Sequence, residues 1–200
     1  MASTARPSVP SHPSTVPDEQ GLLRVERDIQ DRLRDEPLDF PSLLAVSNIY
    51  RAAGAVRRQA ERELLNEAGL SWGGFTILWV LWIWGEMETS RLAAECDLAK
   101  GTLTGMLSTL ERQDLVARRR LDRDRRRVTV GLTDGGQARI AELFPRFNAF
   151  EGAMTSGLSD EQKSDLALLL RVVITNAGDQ PDETGGAASS ASSASSASSD

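Results

Sequence analysis

The sequence predicts a mainly α-helical chain carrying one small two-stranded β-element. Three observations lead to it. Apolar residues recur at helical spacing along most of residues 22–176. The period falls to two just once, where Val128, Val130 and Leu132 alternate with Thr129 and Gly131. Immediately before that alternation, seven of the ten residues 118–127 are arginine, in a 200-residue chain whose net charge is -6.

Taken in order, residues 1–20 are rich in Pro, Ser and Thr and poor in large apolar side chains, so a disordered tail is expected. Leu22, Val25, Ile29 and Leu33 set out a first helix, which Pro37 closes. A second starts at Pro41 or Ser42 and runs to about Asn66, ahead of Gly69, with Leu43, Leu44, Ile49, Tyr50, Ala53 and Val56 on one side. Ser71 caps a third over residues 72–84, apolar nearly all round and therefore expected to be buried. Thr89 or Ser90 caps a short helix over 91–96, and another follows over 100–113. In the latter, Leu103, Met106, Leu107 and Leu110 line one face, while Lys100, Thr102, Thr104, Gly105 and Ser108 line the other. Residues 116–121 pair with 128–132 across an LDRDR turn. Thr133 caps a long helix over 134–155, and Ser159 with Gln162 opens a last one that ends near Asn176. The Ser/Ala repeat in 179–200 is expected to be a second disordered tail.

Composition removes several classes of function. The only histidine is His12 and the only cysteine Cys96, so neither a Ser-His-Asp triad nor a zinc site can be assembled. No catalytic constellation, metal or cofactor is expected. No run of about 18 apolar residues is present to span a membrane, and no apolar signal core opens the chain, which points to the cytoplasm. Cys96 reads as a small core side chain rather than a redox sensor.

Helix, short turn, helix and a basic two-stranded wing form a DNA-binding arrangement. The second helix enters the major groove, and wing arginines follow the backbone or enter the minor groove. A protein can be acidic overall and still concentrate cations where it meets DNA.

The segment LAAECDLAKGTLTGMLSTLERQDLVARRRLDRDRRRVTVGLTDGG, residues 92–136, resembles the winged-helix core of MarR-type transcriptional regulators without a gap. LDFPSLLAVSNIYRAA and GLSWGGFTILWVL resemble that family's dimerisation and linking helices. The implied fold class is mainly α, a winged helix-turn-helix with a small two-stranded β-wing and a helical dimerisation region. It implies one domain over 21–178, with dimerisation helices at 21–68 and 134–177 and the DNA-binding lobe at 71–133. Such proteins are homodimers on pseudo-palindromic operators that usually repress, often releasing double-stranded DNA when a small phenolic or anionic effector binds.

Carried over by position, Lys100, Gly101, Thr102, Thr104, Gly105 and Ser108 fall on the recognition helix. Arg118, Arg120, Arg123, Asp124, Arg125 and Arg126 fall on the wing, where Asp124 would orient the loop and Arg126 reach the minor groove. The resemblance puts an effector pocket near Asn48, Arg51, Trp72, Phe75 and Trp79, with plain core packing the other reading of those aromatics. Two departures stand out: Ala99 takes the place of a common capping serine, and Asp114 that of a glycine after the helix. A non-specific architectural DNA-binding protein, and a constitutive regulator without an effector, stay open as alternatives.

Overall fold

A computed structural model describes residues 21–121 and 124–178, with side chains for all of these except 121 and 124–126. The two expected tails lie outside the described residues. The elements are α1 (Arg24–Arg32), α2 (Phe40–Ala60) continuing into a π-turn (Glu61–Leu65), α3 (Trp72–Trp84), β1 (Met87–Glu88), α4 (Thr89–Glu95), α5 (Lys100–Arg112), β2 (Val116–Leu121), β3 (Asp124–Leu132), α6 (Asp134–Met154) and α7 (Asp160–Gly178). They divide into two compact units, Met1–Phe150 and Glu151–Asp200. No helix among the described residues is long and apolar enough to cross a membrane.

In the first unit, α3 is the central helix. Phe75, Ile77, Leu78, Val80 and Leu81 are all buried, as a helix without a polar face requires. Its start is fixed by Ser71, whose hydroxyl accepts from the Gly74 N–H at 3.2 Å. Gly73 follows because α5 packs close: a Cβ there would lie 2.7 Å from the Met106 thioether, whereas one on Gly74 would make ordinary contact with Leu110 at 3.7 Å. Leu103, Leu107 and Leu110 then bury the apolar face of α5 in the same core, together with Leu92 of α4 and Val130 of β3.

α2 starts at Phe40, one residue before Pro41, the earlier of the two expected starts. Asp39 is its cap, accepting from the Ser42 N–H at 3.2 Å and hydroxyl at 2.6 Å, and these bonds hold its carboxyl below the usual carboxylate range. Gly69, at φ +68°, takes the chain out of the π-turn in the left-handed region. The carbonyls left open there are satisfied from a distance, that of Ala68 by Arg139 at 2.8 Å and that of Gly69 by Gln113 at 3.1 Å.

The sheet corrects the two-stranded expectation. It has three antiparallel strands in the order β1-β3-β2, with Met87 opposite Val130 and Glu88 opposite Thr129. A two-residue strand is too short to show a period, and so it left no signature in the sequence. Its Glu88 also takes the place of the expected cap of α4, which begins at Thr89 with Glu88 as N-cap.

In the second unit, α7 opens as its residues predict. Ser159 Oγ accepts from the Gln162 N–H at 3.2 Å, and Gln162 Oε1 accepts from the Ser159 N–H at 2.9 Å. No residue of α7 is buried, and Leu168, Leu169, Val172 and Ile174 are more than half exposed.

Candidate nucleic-acid interface

The turn between α4 and α5 is made by Asp97, at φ 50°. α5 leaves it with Ala99 as N-cap and no side-chain cap bond. Lys100, Gly101, Thr102, Thr104, Gly105 and Ser108 are all exposed, on the side opposite the buried leucines. An added Cβ at Gly101 or Gly105 would meet nothing within 4 Å. Glycine inside a helix costs roughly 0.5–1 kcal/mol relative to alanine, and here no packing inside the chain requires it. At the far end Asp114 adopts φ 55°, the left-handed conformation in which glycine is common and aspartate is tolerated.

β2 then returns alongside α5, and side-chain alternation divides its arginines between two faces. Arg118 turns toward α5. Its Nε donates to Glu111 Oε2 at 2.9 Å, its backbone N–H to Glu111 Oε1 at 3.3 Å, and its Nη2 to Ser108 Oγ at 3.0 Å and again to Glu111 Oε2. These bonds hold the Glu111 carboxyl below its ordinary range and push the Arg118 guanidinium higher. Ser108 in turn donates to the Thr104 carbonyl at 3.0 Å, and the Thr104 hydroxyl to the Lys100 carbonyl at 2.8 Å. A cleft of about 550 Å³ opens between α5 and the wing, lined by Thr89, Ser90, Lys100, Thr104 and Arg118–Arg120 among others.

On the other face, Arg119 meets Glu86 at 3.7 Å and Arg127 pairs with Glu88. Residue 123 and the side chains of Asp124, Arg125 and Arg126 lie outside the described residues, so those wing-tip assignments have no geometry here. Sequence reasoning did not single out the carboxylates Glu86, Glu88 and Glu111. Glu111 carries a faint signal, one helical turn beyond Ser108 on the same helix. Glu86 and Glu88 carry none, since their partners depend on the register of β1.

The five residues assigned to an effector pocket fall into distinct local groups. Asn48 Nδ2 donates to the buried Glu26 carboxylate at 2.6 Å, and Arg51 Nη1 donates to Asn48 Oδ1 at 3.1 Å while lying 3.9 Å from the same carboxylate. Trp72 and Phe75 pack with Phe147, whose ring stacks on Phe75 at a centroid distance of 4.3 Å. Trp79 meets Trp84 edge-on at 5.6 Å. Cys96 is half-buried, and burial, with Glu95 beside it, pushes its thiol up to about 11. At neutral pH it is therefore protonated and weakly nucleophilic. Among the described residues, no group of three or more His, Cys, Asp or Glu side chains could hold a metal ion.

The model of the MarR family matches residues 70–128. YwaE of Bacillus subtilis (strain 168), named as an uncharacterized HTH-type transcriptional regulator, is 35% identical over 160 residues, which cover 78% of this chain and 94% of the relative. The chain belongs to the MarR family. Like other MarR-family proteins it is a DNA-binding transcriptional regulator, not an enzyme. Among solved structures, NadR in complex with 4-hydroxyphenylacetate is similar at TM-score 0.55 and 25% identity, over 67% of this chain and 92% of that one. The Staphylococcus aureus MepR–DNA complex shares the fold at TM-score 0.60 and 21% identity, over 65% and 96% of the two chains.

Proposed function

We propose that this MarR-family protein is a cytoplasmic homodimeric repressor that binds a pseudo-palindromic operator and is released by a small aromatic or anionic effector. One observation carries the DNA-binding part: the exposed polar face of α5, with two glycines that nothing in the chain requires, lies beside the arginine-bearing strand β2. Bare backbone at Gly101 and Gly105 leaves room for a close approach from outside. Lys100, Thr102, Thr104 and Ser108 would read base edges and nearby phosphates, and Arg120 with the wing-tip Arg123, Arg125 and Arg126 would supply charge. The MepR complex supports the use of this fold on DNA.

The dimer is supported by apolar surface that helices ordinarily cover. Leu168, Leu169, Val172 and Ile174 of α7 are exposed, and so is Tyr50 of α2. Residues 21–68 and 134–177 would then be the dimerisation helices and 71–133 the DNA-binding lobe, within one domain over 21–178. A twofold dimer sets its recognition helices about one DNA turn apart, hence a pseudo-palindromic site. NadR, whose structure holds an aromatic acid, makes such acids the first effectors to try. Quenching or shifting of the Trp72 and Trp79 fluorescence would report binding.

The test is fluorescence anisotropy of the protein on its own upstream DNA against scrambled DNA of equal length, at about 150 mM salt. A preference of roughly a thousandfold or more, at two protomers per site, is expected. Equal weak binding to both would point to an architectural role or to an operator elsewhere, which genome-wide selection of bound sites would separate.

A further inference from the structure

Three arginines of the wing, Arg118, Arg119 and Arg127, stand against carboxylates, on both faces of the sheet. On the α5 side, Glu111 holds Arg118. On the other side the acids are Glu88 of β1 and Glu86, the residue just before that strand. Glu88 stands directly opposite Thr129 on β3, and Thr129 directly opposite Arg119 on β2, so all three side chains share one face of the sheet. Arg127, two residues before Thr129, is on that face as well, and it pairs with Glu88.

Glu86 reaches farther. One carboxylate oxygen accepts from the Thr129 hydroxyl at 2.5 Å, and the other lies 3.7 Å from Arg119 Nη1, across the whole width of β3. Gly131 opens that path. A Cβ there would already sit 3.4 Å from the Glu86 side chain, so a larger side chain would block the crossing. The Arg119 and Arg127 side chains are 75% and 54% exposed. Ion pairs so exposed contribute little to stability. What they do change is the charge that the wing offers to a partner.

We propose that Glu86 and Glu88 act as internal counterions of the wing, holding Arg119 and Arg127 back from DNA phosphates and so weakening the protein's hold on DNA of any sequence. An arginine already neutralised by a carboxylate displaces fewer DNA counterions when it meets a phosphate, and counterion release drives sequence-independent binding. The effect leaves base reading by α5 untouched and lowers the background against which it operates. The proposal rests on the DNA-binding reading above.

The salt dependence of binding tests it, and no operator is needed. Affinity for a random-sequence 25-base-pair duplex is measured between about 50 and 200 mM salt for the wild type, E86Q, E88Q and E86Q/E88Q. Each released arginine that gains a phosphate steepens the slope of log K against log[salt] by about 0.9. The double variant is therefore expected to bind random DNA more tightly than wild type, by a margin that shrinks roughly tenfold across that range. Adding R119Q and R127Q to the double variant should restore the wild-type slope. A purely structural role for the acids would shift the melting temperature and leave the slope alone, and that outcome overturns the proposal. The single variants keep one brace each, and a slope unchanged in both of them overturns it equally. Wild type that binds no duplex even at 50 mM would sink the regulator reading along with this one, whereas wild type that binds while the variants match its slope sinks this one only.

Discussion

Arg118 stands on β2 with its guanidinium bound to Glu111 and to the Ser108 hydroxyl, so much of its hydrogen-bonding capacity is spent inside the chain. Its side chain is 27% exposed and that of Glu111 32%. The pair thus joins α5 to the wing and sets the distance between the two elements proposed to face DNA. Glu111→Gln removes the charge and one acceptor pair while keeping the shape. The expected loss is at most about 1 kcal/mol at neutral pH, since the pair is partly solvated, read as a drop of a few degrees in melting temperature. The pH dependence has a definite sign. The Glu111 carboxyl lies below its ordinary value in the folded protein, so its contribution is complete above the unfolded-state value and is lost as pH falls through the folded one. The wild type and Glu111→Gln melting temperatures should therefore converge in acid. A gap that persists well below the carboxylate range would show that the contact is steric rather than ionic.

At the scale of elements, two glycines make opposite predictions. Gly105 faces open space on α5, so Gly105→Ala should stabilise the helix by roughly 0.5–1 kcal/mol and weaken DNA binding by filling the approach to its backbone. Higher melting temperature with unchanged affinity would remove Gly105 from the interface. Gly136, on the first turn of α6, is the reverse case. A Cβ there would overlap the Leu115 carbonyl oxygen, backbone that has no side-chain freedom with which to yield. The joint is reinforced by Thr133, whose hydroxyl accepts from the Gly136 N–H at 3.0 Å and donates to the Asp114 carbonyl. Gly136→Ala should cost about 1–3 kcal/mol through overpacking, measurable by urea unfolding. Because the joint ties α6 to the end of α5, DNA binding should weaken more than stability alone accounts for. Ala99 offers a gain in the same region: the cap position of α5 makes no side-chain bond, and Ala99→Ser should add about 1 kcal/mol.

For the molecule as a whole, the proposed dimer makes the outward apolar face of α7 its test. Leu169 and Ile174 are 64% and 69% exposed. Burying a side chain of that size contributes about 1.5–3 kcal/mol, so Leu169→Asp with Ile174→Asp should convert a dimer to a monomer at micromolar concentration. Light scattering on a sizing column reads the halved mass, and affinity for an operator should fall a hundredfold or more. A variant that keeps its dimer mass would assign these residues to some other surface.

Much of this was legible in the residues because the signals are local. The Ser71 cap, the 72–84 apolar run and the leucine spacing of α5 each depend on neighbours within a few positions, and the structure places those helices within a residue or two of where the spacing does. The reversal of charge at residues 118–127 marked the wing for the same reason. What only the tertiary structure decided are relations between distant positions. The third strand is two residues long and exists through its pairing with β3. Glu86 is 33 positions from Arg119 and Glu88 39 from Arg127, so no spacing rule could join acid to arginine. The face of β2 on which each arginine falls, and therefore which cations are already matched, follows from strand register. Register is a property of the packed sheet, set by which face is buried.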